Sequence, residues 1–143
     1  MKRTIEYIVV HCTATPPEAK VENIVRYWKE QLGWKNPGYH YIIKRNGEIV
    51  QLLSEDQVSN GVKNYNQHSV HISYIGGVDK DLKPFDNRTD EQKHALFNKV
   101  VELSNRYPGA EIKGHRDFPG VIKACPSFDV KKWLKEYVPR EAT

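Results

Sequence analysis

The sequence predicts an α/β fold: a single domain with a mixed central β-sheet flanked by helices. Three observations carry that expectation. Short apolar runs rich in β-branched residues alternate with segments of helical period, and one pair of strands is joined by a tight-turn dipeptide. No linker or composition shift divides the 143 residues. Residues 1–143 therefore read as one unit, with a core from about residue 5 to 138.

Taken in order, "TIEYIVVHC" is a buried strand running up to His11, and "TATPPEAK" is a proline-interrupted loop. "VENIVRYWKEQLGW" places apolar side chains at 21, 24, 25, 28 and 32, a helical stripe with Gly33 as the expected C-cap. In "YHYIIKRNGEIVQLL" two strand-like runs flank Asn46-Gly47, which predicts a type I′ hairpin turn. "SVHISYIGG" is a further strand, ended by glycines. "TDEQKHALFNKVVELSNRYPG" is a long amphipathic helix: Thr89 and Gln92 form a capping box, Leu96, Val100, Leu103 and Tyr107 face inward, and Pro108-Gly109 stops it. "AEIKGH" is a short strand ending on His115. "SFDVKKWLKEYV" is the last helix, with Ser127 as N-cap and Trp133, Leu134 and Tyr137 inward.

Composition narrows the function classes. With 38% hydrophobic and 28% charged residues the chain is ordinary for a folded protein. A net charge of +4 suits a polyanionic partner such as bacterial cell wall, a membrane surface or nucleic acid, without choosing among them. No Lys/Arg block marks a nucleic-acid arm, and no apolar run approaches the roughly 20 residues of a membrane span. "MKRTIEYIVV" lacks an apolar signal region and a small-residue cleavage site, so synthesis in the cytoplasm without a signal peptide is expected. Two cysteines are too few for a disulfide framework.

Six histidines and two cysteines are the chemical candidates. His11 closes the first strand, His115 closes "AEIKGH", and Cys125 lies a short loop beyond. Two imidazoles and one thiolate would make a three-ligand zinc site with a fourth position free for water. No CxxC or HExxH motif is present, so spacing alone favours two satisfied histidines and a buried thiol. A cysteine nucleophile is the rival chemistry, since Cys125 stands near a helix start with Lys123 beside it. Cys12 reads as packing, and His68 and His94 as solvated.

The segments "IVVHCTAT", "GYHYIIKRNGEI", "YNQHSVHISYIGG", "GHRDFPG" and "KACPSFD", together and in this order, resemble the zinc-dependent N-acetylmuramoyl-L-alanine amidases. This type-2 amidase family includes short bacteriophage enzymes and shares its fold with peptidoglycan recognition proteins. The resemblance implies zinc as cofactor, with His11, His115 and Cys125 as metal ligands and Tyr39 and Lys123 as catalytic residues. Lys123 would stabilise the oxyanion of the attacked amide, and Tyr39 would orient water or the intermediate. Trp34, His40, Asn66 and Arg116 would line the substrate groove, and Asp117 would hold a ligand or the loop. The implied partner is peptidoglycan, acted on by a monomer after release to the wall, with no nucleic acid and no membrane span involved. A non-catalytic peptidoglycan-binding module is the alternative. Two departures stand out. Many relatives carry a Trp-His-Ala-like segment where this chain has "NGVKNYN", so a groove histidine is missing. The loop between His115 and Cys125, through "FPGVI", is longer than the pattern.

Overall fold

Alternation along the strands gives the sheet two unlike faces, and that difference positions the site. The computed structural model describes residues 3–138. Its elements are β1 (Tyr7–Cys12), α1 (Val21–Glu30), β2 (Tyr41–Ile43) and β3 (Ile49–Gln51). They are followed by β4 (Ser69–Tyr74), α2 (Asp90–Arg106), β5 (Glu111–Gly114) and α3 (Val130–Glu136). The five strands form one mixed sheet in the order β3-β2-β4-β1-β5. β1 runs parallel to both β4 and β5, β2 runs parallel to β4, and β3 is antiparallel to β2. No helix of the described residues is long and apolar enough to cross a membrane.

One face is apolar. Ile8, Val10 and Cys12 of β1, Tyr41 and Ile43 of β2, and Val70, Ile72 and Tyr74 of β4 pack against Leu96, Val100 and Leu103 of α2 and against Phe128 and Val130. Each such side chain, taken fully out of water, contributes about 1.5–3 kcal/mol. The opposite face takes the intervening positions: Val9, His11, Ile42, Ser69, His71 and Ser73. All six are at most 1% exposed, as is His40 just ahead of β2. Ile24 and Trp28 of α1 cover the β2 side of this face, and Val62 and Phe118 cover Val9. Strands buried on both faces normally read as continuous hydrophobic runs. Here three imidazoles and two hydroxyls interrupt that run.

Several local expectations are corrected. The hairpin turn is not type I′. Only Gly47 has positive φ (90°), while Gly47 N–H donates to Lys44 O at 2.9 Å and Lys44 N–H to Glu48 O at 2.8 Å. That is a type I turn over Arg45-Asn46 followed by a left-handed glycine, the three-residue hairpin. The C-cap of α1 is Gln31, and Gly33 follows two residues later in the left-handed conformation (φ 67°), with Trp34 N–H returning to Trp28 O at 2.9 Å. The N-cap of α3 is Asp129, whose side chain accepts from Lys132 N–H at 3.1 Å. Ser127 takes positive φ (71°) and spends its hydroxyl on Gly77 O at 2.8 Å. β5 ends at Gly114, and His115 opens a short 3-10 turn over His115–Asp117.

The α2 capping box is present as read, and it also joins the helix to the sheet. Buried Gln92 accepts from Thr89 N–H at 3.0 Å and from Arg45 Nη1 at 3.1 Å. Its amide donates to Ile75 O at 3.0 Å and Ile43 O at 3.3 Å. Gln92→Leu keeps the volume but removes all four hydrogen bonds and leaves Thr89 N–H without its acceptor, an expected loss of about 1–3 kcal/mol. A urea midpoint lowered at unchanged m-value checks this.

Candidate active site

Parallel pairing of β1 with β5 brings His11 and His115 to one end of the polar face. Asp117 Oδ2 accepts from Gly114 N–H at 2.8 Å and ties down the turn that carries His115. The following loop returns Cys125 alongside: Arg116 N–H donates to Cys125 O at 2.9 Å, and Cys12 N–H donates to Cys125 Sγ at 3.1 Å. One ligand atom from each of His11, His115 and Cys125 lies within 4.8 Å of the others. His11 Nδ1 is 3.8 Å from Cys125 Sγ. A tetrahedral zinc with ordinary bond lengths separates its nitrogen and sulfur ligands by about 3.5 Å, so these residues fit that ion. Two imidazoles with a thiolate also select zinc over magnesium or calcium. Neither cysteine is in a disulfide.

Burial, followed by the neighbouring imidazoles of His71 and His115, holds His11 well below the usual histidine range. Burial and the charge of Lys123 bring His115 down to about 4. Both rings are thus neutral near pH 7, the form a metal requires. The hydrogen bond with Cys12, then burial, pushes the Cys125 thiol well above its usual value.

A groove of about 740 Å³ opens over this cluster, and its lining includes His11, His115, Trp34, Tyr39, Asn66 and Lys123. Trp34 stacks on Trp28 with centroids 6.3 Å apart, forming an aromatic wall. The Tyr39 ring lies 4.9 Å from that of His11, and its hydroxyl donates to Cys12 O at 3.2 Å. Burial raises the Tyr39 phenol strongly, so it stays a neutral donor. Lys123 is exposed on the groove.

His40 and Arg116, expected to line the groove, are not among its lining residues. Arg116 is exposed elsewhere. His40 is buried beneath the groove, donating from Nε2 to Gln57 O at 2.7 Å and accepting His71 N–H on Nδ1 at 3.0 Å. Asn66 lines the groove, but its side-chain oxygen accepts from Val62 N–H at 2.7 Å and lies 2.8 Å from His71 Nε2. His71 itself was missed. Its Nδ1 is 2.8 Å from His11 Nε2, and its signal in the sequence was the polar alternation Ser69, His71, Ser73 within β4.

Burial also holds His40 at about 4. In the unfolded chain His40 and His115 titrate near 6.5. Between about pH 6.5 and 4 the unfolded chain therefore binds more protons, so stability falls on acidification through this window and flattens below it. Thermal unfolding of metal-free protein from pH 7 to 4 is expected to show a loss on the order of 2–3 kcal/mol for the fully buried His40. A midpoint that stays level or rises contradicts this.

Fold and site together define a class: mixed-sheet hydrolases with a potential three-ligand metal centre. Residues 1–128 match the family model described as N-acetylmuramoyl-L-alanine amidase, and the chain belongs to that family. The endolysin of Klebsiella phage KP32 is 41% identical over 130 residues, 90% of this chain and 85% of that protein. The endolysin of Escherichia phage T7 is 37% identical over 136 residues, 94% and 89% of the two chains. Among solved structures, the endolysin of Thermus scotoductus bacteriophage Ph2119 superposes with a TM-score of 0.80 at 25% identity, covering 95% of this chain and 86% of that one. Drosophila PGRP-LB, at 17% identity and a TM-score of 0.77 over 96% of this chain and 83% of its own, shares the fold.

Proposed function

We propose that this amidase works with a zinc ion held by His11, His115 and Cys125. We further propose that it is an endolysin cleaving the bond between the lactyl group of N-acetylmuramic acid and L-alanine in peptidoglycan. The observation that carries the reading is the approach of three ligand atoms within 4.8 Å, with His11 and His115 lining an open groove. Zinc bound there supplies Lewis acidity to the scissile carbonyl and makes water easier to ionise.

The chain's own groups do the rest. The ammonium of Lys123 stabilises the negative charge that develops on the carbonyl oxygen only as the amide is attacked. Tyr39, a neutral hydroxyl beside His11, redirects its hydrogen from Cys12 O to orient the attacking water or the tetrahedral species. The Trp34–Trp28 wall gives the muramyl peptide an apolar surface, and the net charge of +4 favours an anionic wall. The enzyme acts as a monomer on peptidoglycan after release to the wall, without nucleic acid.

The assay is the appearance of new L-alanine amino termini in purified peptidoglycan. They are expected with native protein, lost with a chelator and restored by zinc. Tight muropeptide binding without cleavage by zinc-loaded protein would instead establish a recognition module.

A further inference from the structure

We infer that His71 is a positioning residue for His11: through Asn66, it fixes which nitrogen of His11 faces the metal site. The inference rests on the reading of His11 as a ligand, but its hydrogen-bond logic does not depend on the ion.

The relay starts at a group of fixed polarity. Val62 N–H can only donate, and it lies 2.7 Å from Asn66 Oδ1, which settles the orientation of that amide. The oxygen can only accept, so His71 Nε2, 2.8 Å away, carries the hydrogen. His71 is wholly buried, and no carboxylate is hydrogen-bonded to its ring among the described residues. A neutral ring with Nε2–H has its lone pair on Nδ1. At 2.8 Å that lone pair accepts from His11 Nε2. The lone pair of His11 is then on Nδ1, the nitrogen 3.8 Å from Cys125 Sγ. Partners on the far nitrogen of a ligating histidine commonly fix its tautomer and ring orientation in this way.

Gly61 is the space this arrangement needs. A Cβ at that position would lie 2.3 Å from His71 Nδ1 and 2.4 Å from its Cγ, closer than any contact a packed core tolerates. Asn60-Gly61-Val62 is also where the groove histidine of the resembling family is missing. A side chain at 61 and the His71 ring compete for one volume, and this chain gives it to the ring.

The test begins with metal-free protein. Long-range proton–nitrogen correlation spectra are expected to show His11 and His71 both protonated on Nε2 and bare on Nδ1. His71→Phe keeps the ring but removes the acceptor. It is expected to weaken zinc binding about 10–100-fold in competition with a chromophoric chelator, and to leave His11 a mixture of tautomers. His71→Asn returns an acceptor near Nδ1 and is expected to recover most of that affinity. Gly61→Ala, which displaces the ring, should follow His71→Phe.

Unchanged zinc affinity in His71→Phe, or His11 protonated on Nδ1 in the wild type, overturns the proposal. If His71→Phe does not fold, the wild-type tautomers decide alone. A wild type with the expected tautomers that takes up no zinc overturns the ligand reading of His11, and with it this role. Reversed tautomers in a protein that does bind zinc overturn the relay only.

Discussion

Cys125→Ser is expected to release the metal and lower amide hydrolysis by at least about 10³-fold, close to complete loss. The reason is charge and softness together. A thiolate neutralises part of the zinc charge and matches its preference for sulfur, whereas a serine hydroxyl stays protonated and binds weakly. Position adds to the effect, since Cys125 Sγ already receives Cys12 N–H at 3.1 Å and sits 3.8 Å from His11 Nδ1. The substitution is small and nearly isosteric, so the unfolding midpoint of metal-free protein should move little. Metal content per chain and kcat/KM, measured on one preparation, check the prediction. A variant that keeps its zinc and its rate would remove Cys125 from the site.

Lys123→Ala should be the second largest loss, about 10²–10³ in rate, the usual cost of removing one oxyanion donor. Here zinc content is expected to stay at the wild-type value, which separates the two effects. Lys123 is exposed on the groove, so stability should change by less than about 0.5 kcal/mol. An interaction made only in the transition state lowers kcat and leaves KM nearly unchanged. A rise in KM alone would mean that Lys123 binds the ground state of the wall polymer, as part of a basic groove, and does not stabilise the oxyanion.

Local signals carried most of the fold. The Thr89–Gln92 box and the Leu96, Val100, Leu103 stripe defined α2 because both lie within one helix. The errors arose where two local solutions share one signature. Asn46-Gly47 suits a type I′ turn, but a type I turn ending in a left-handed glycine also uses it. Asn46 keeps a negative φ and only Gly47 is left-handed, pressed against α2 where a Cβ would sit 3.0 Å from Glu91 O. Ser127 and Asp129 are both good N-caps, and Ser127 lost because its hydroxyl is engaged with Gly77 O.

The residue types of the candidate site were also legible, but their convergence was not. His11, His115 and Cys125 meet only because β5 lies beside β1, a pairing of strands distant in sequence. His71 was hidden for a related reason. Period-two alternation in "SVHISYI" shows that two faces differ, but not that the polar one is buried. Only the cover provided by α1, Val62 and Phe118 makes an imidazole there a constrained partner of His11.

The most direct test of the zinc amidase account is to strip the protein of metal and titrate zinc back. Bound zinc and release of L-alanine amino termini from peptidoglycan would be followed in the same samples. The account predicts no release at zero metal, a linear rise, and a plateau at one zinc per chain. Full release from the stripped protein, or a zinc-loaded protein that frees no L-alanine amino terminus, would contradict it.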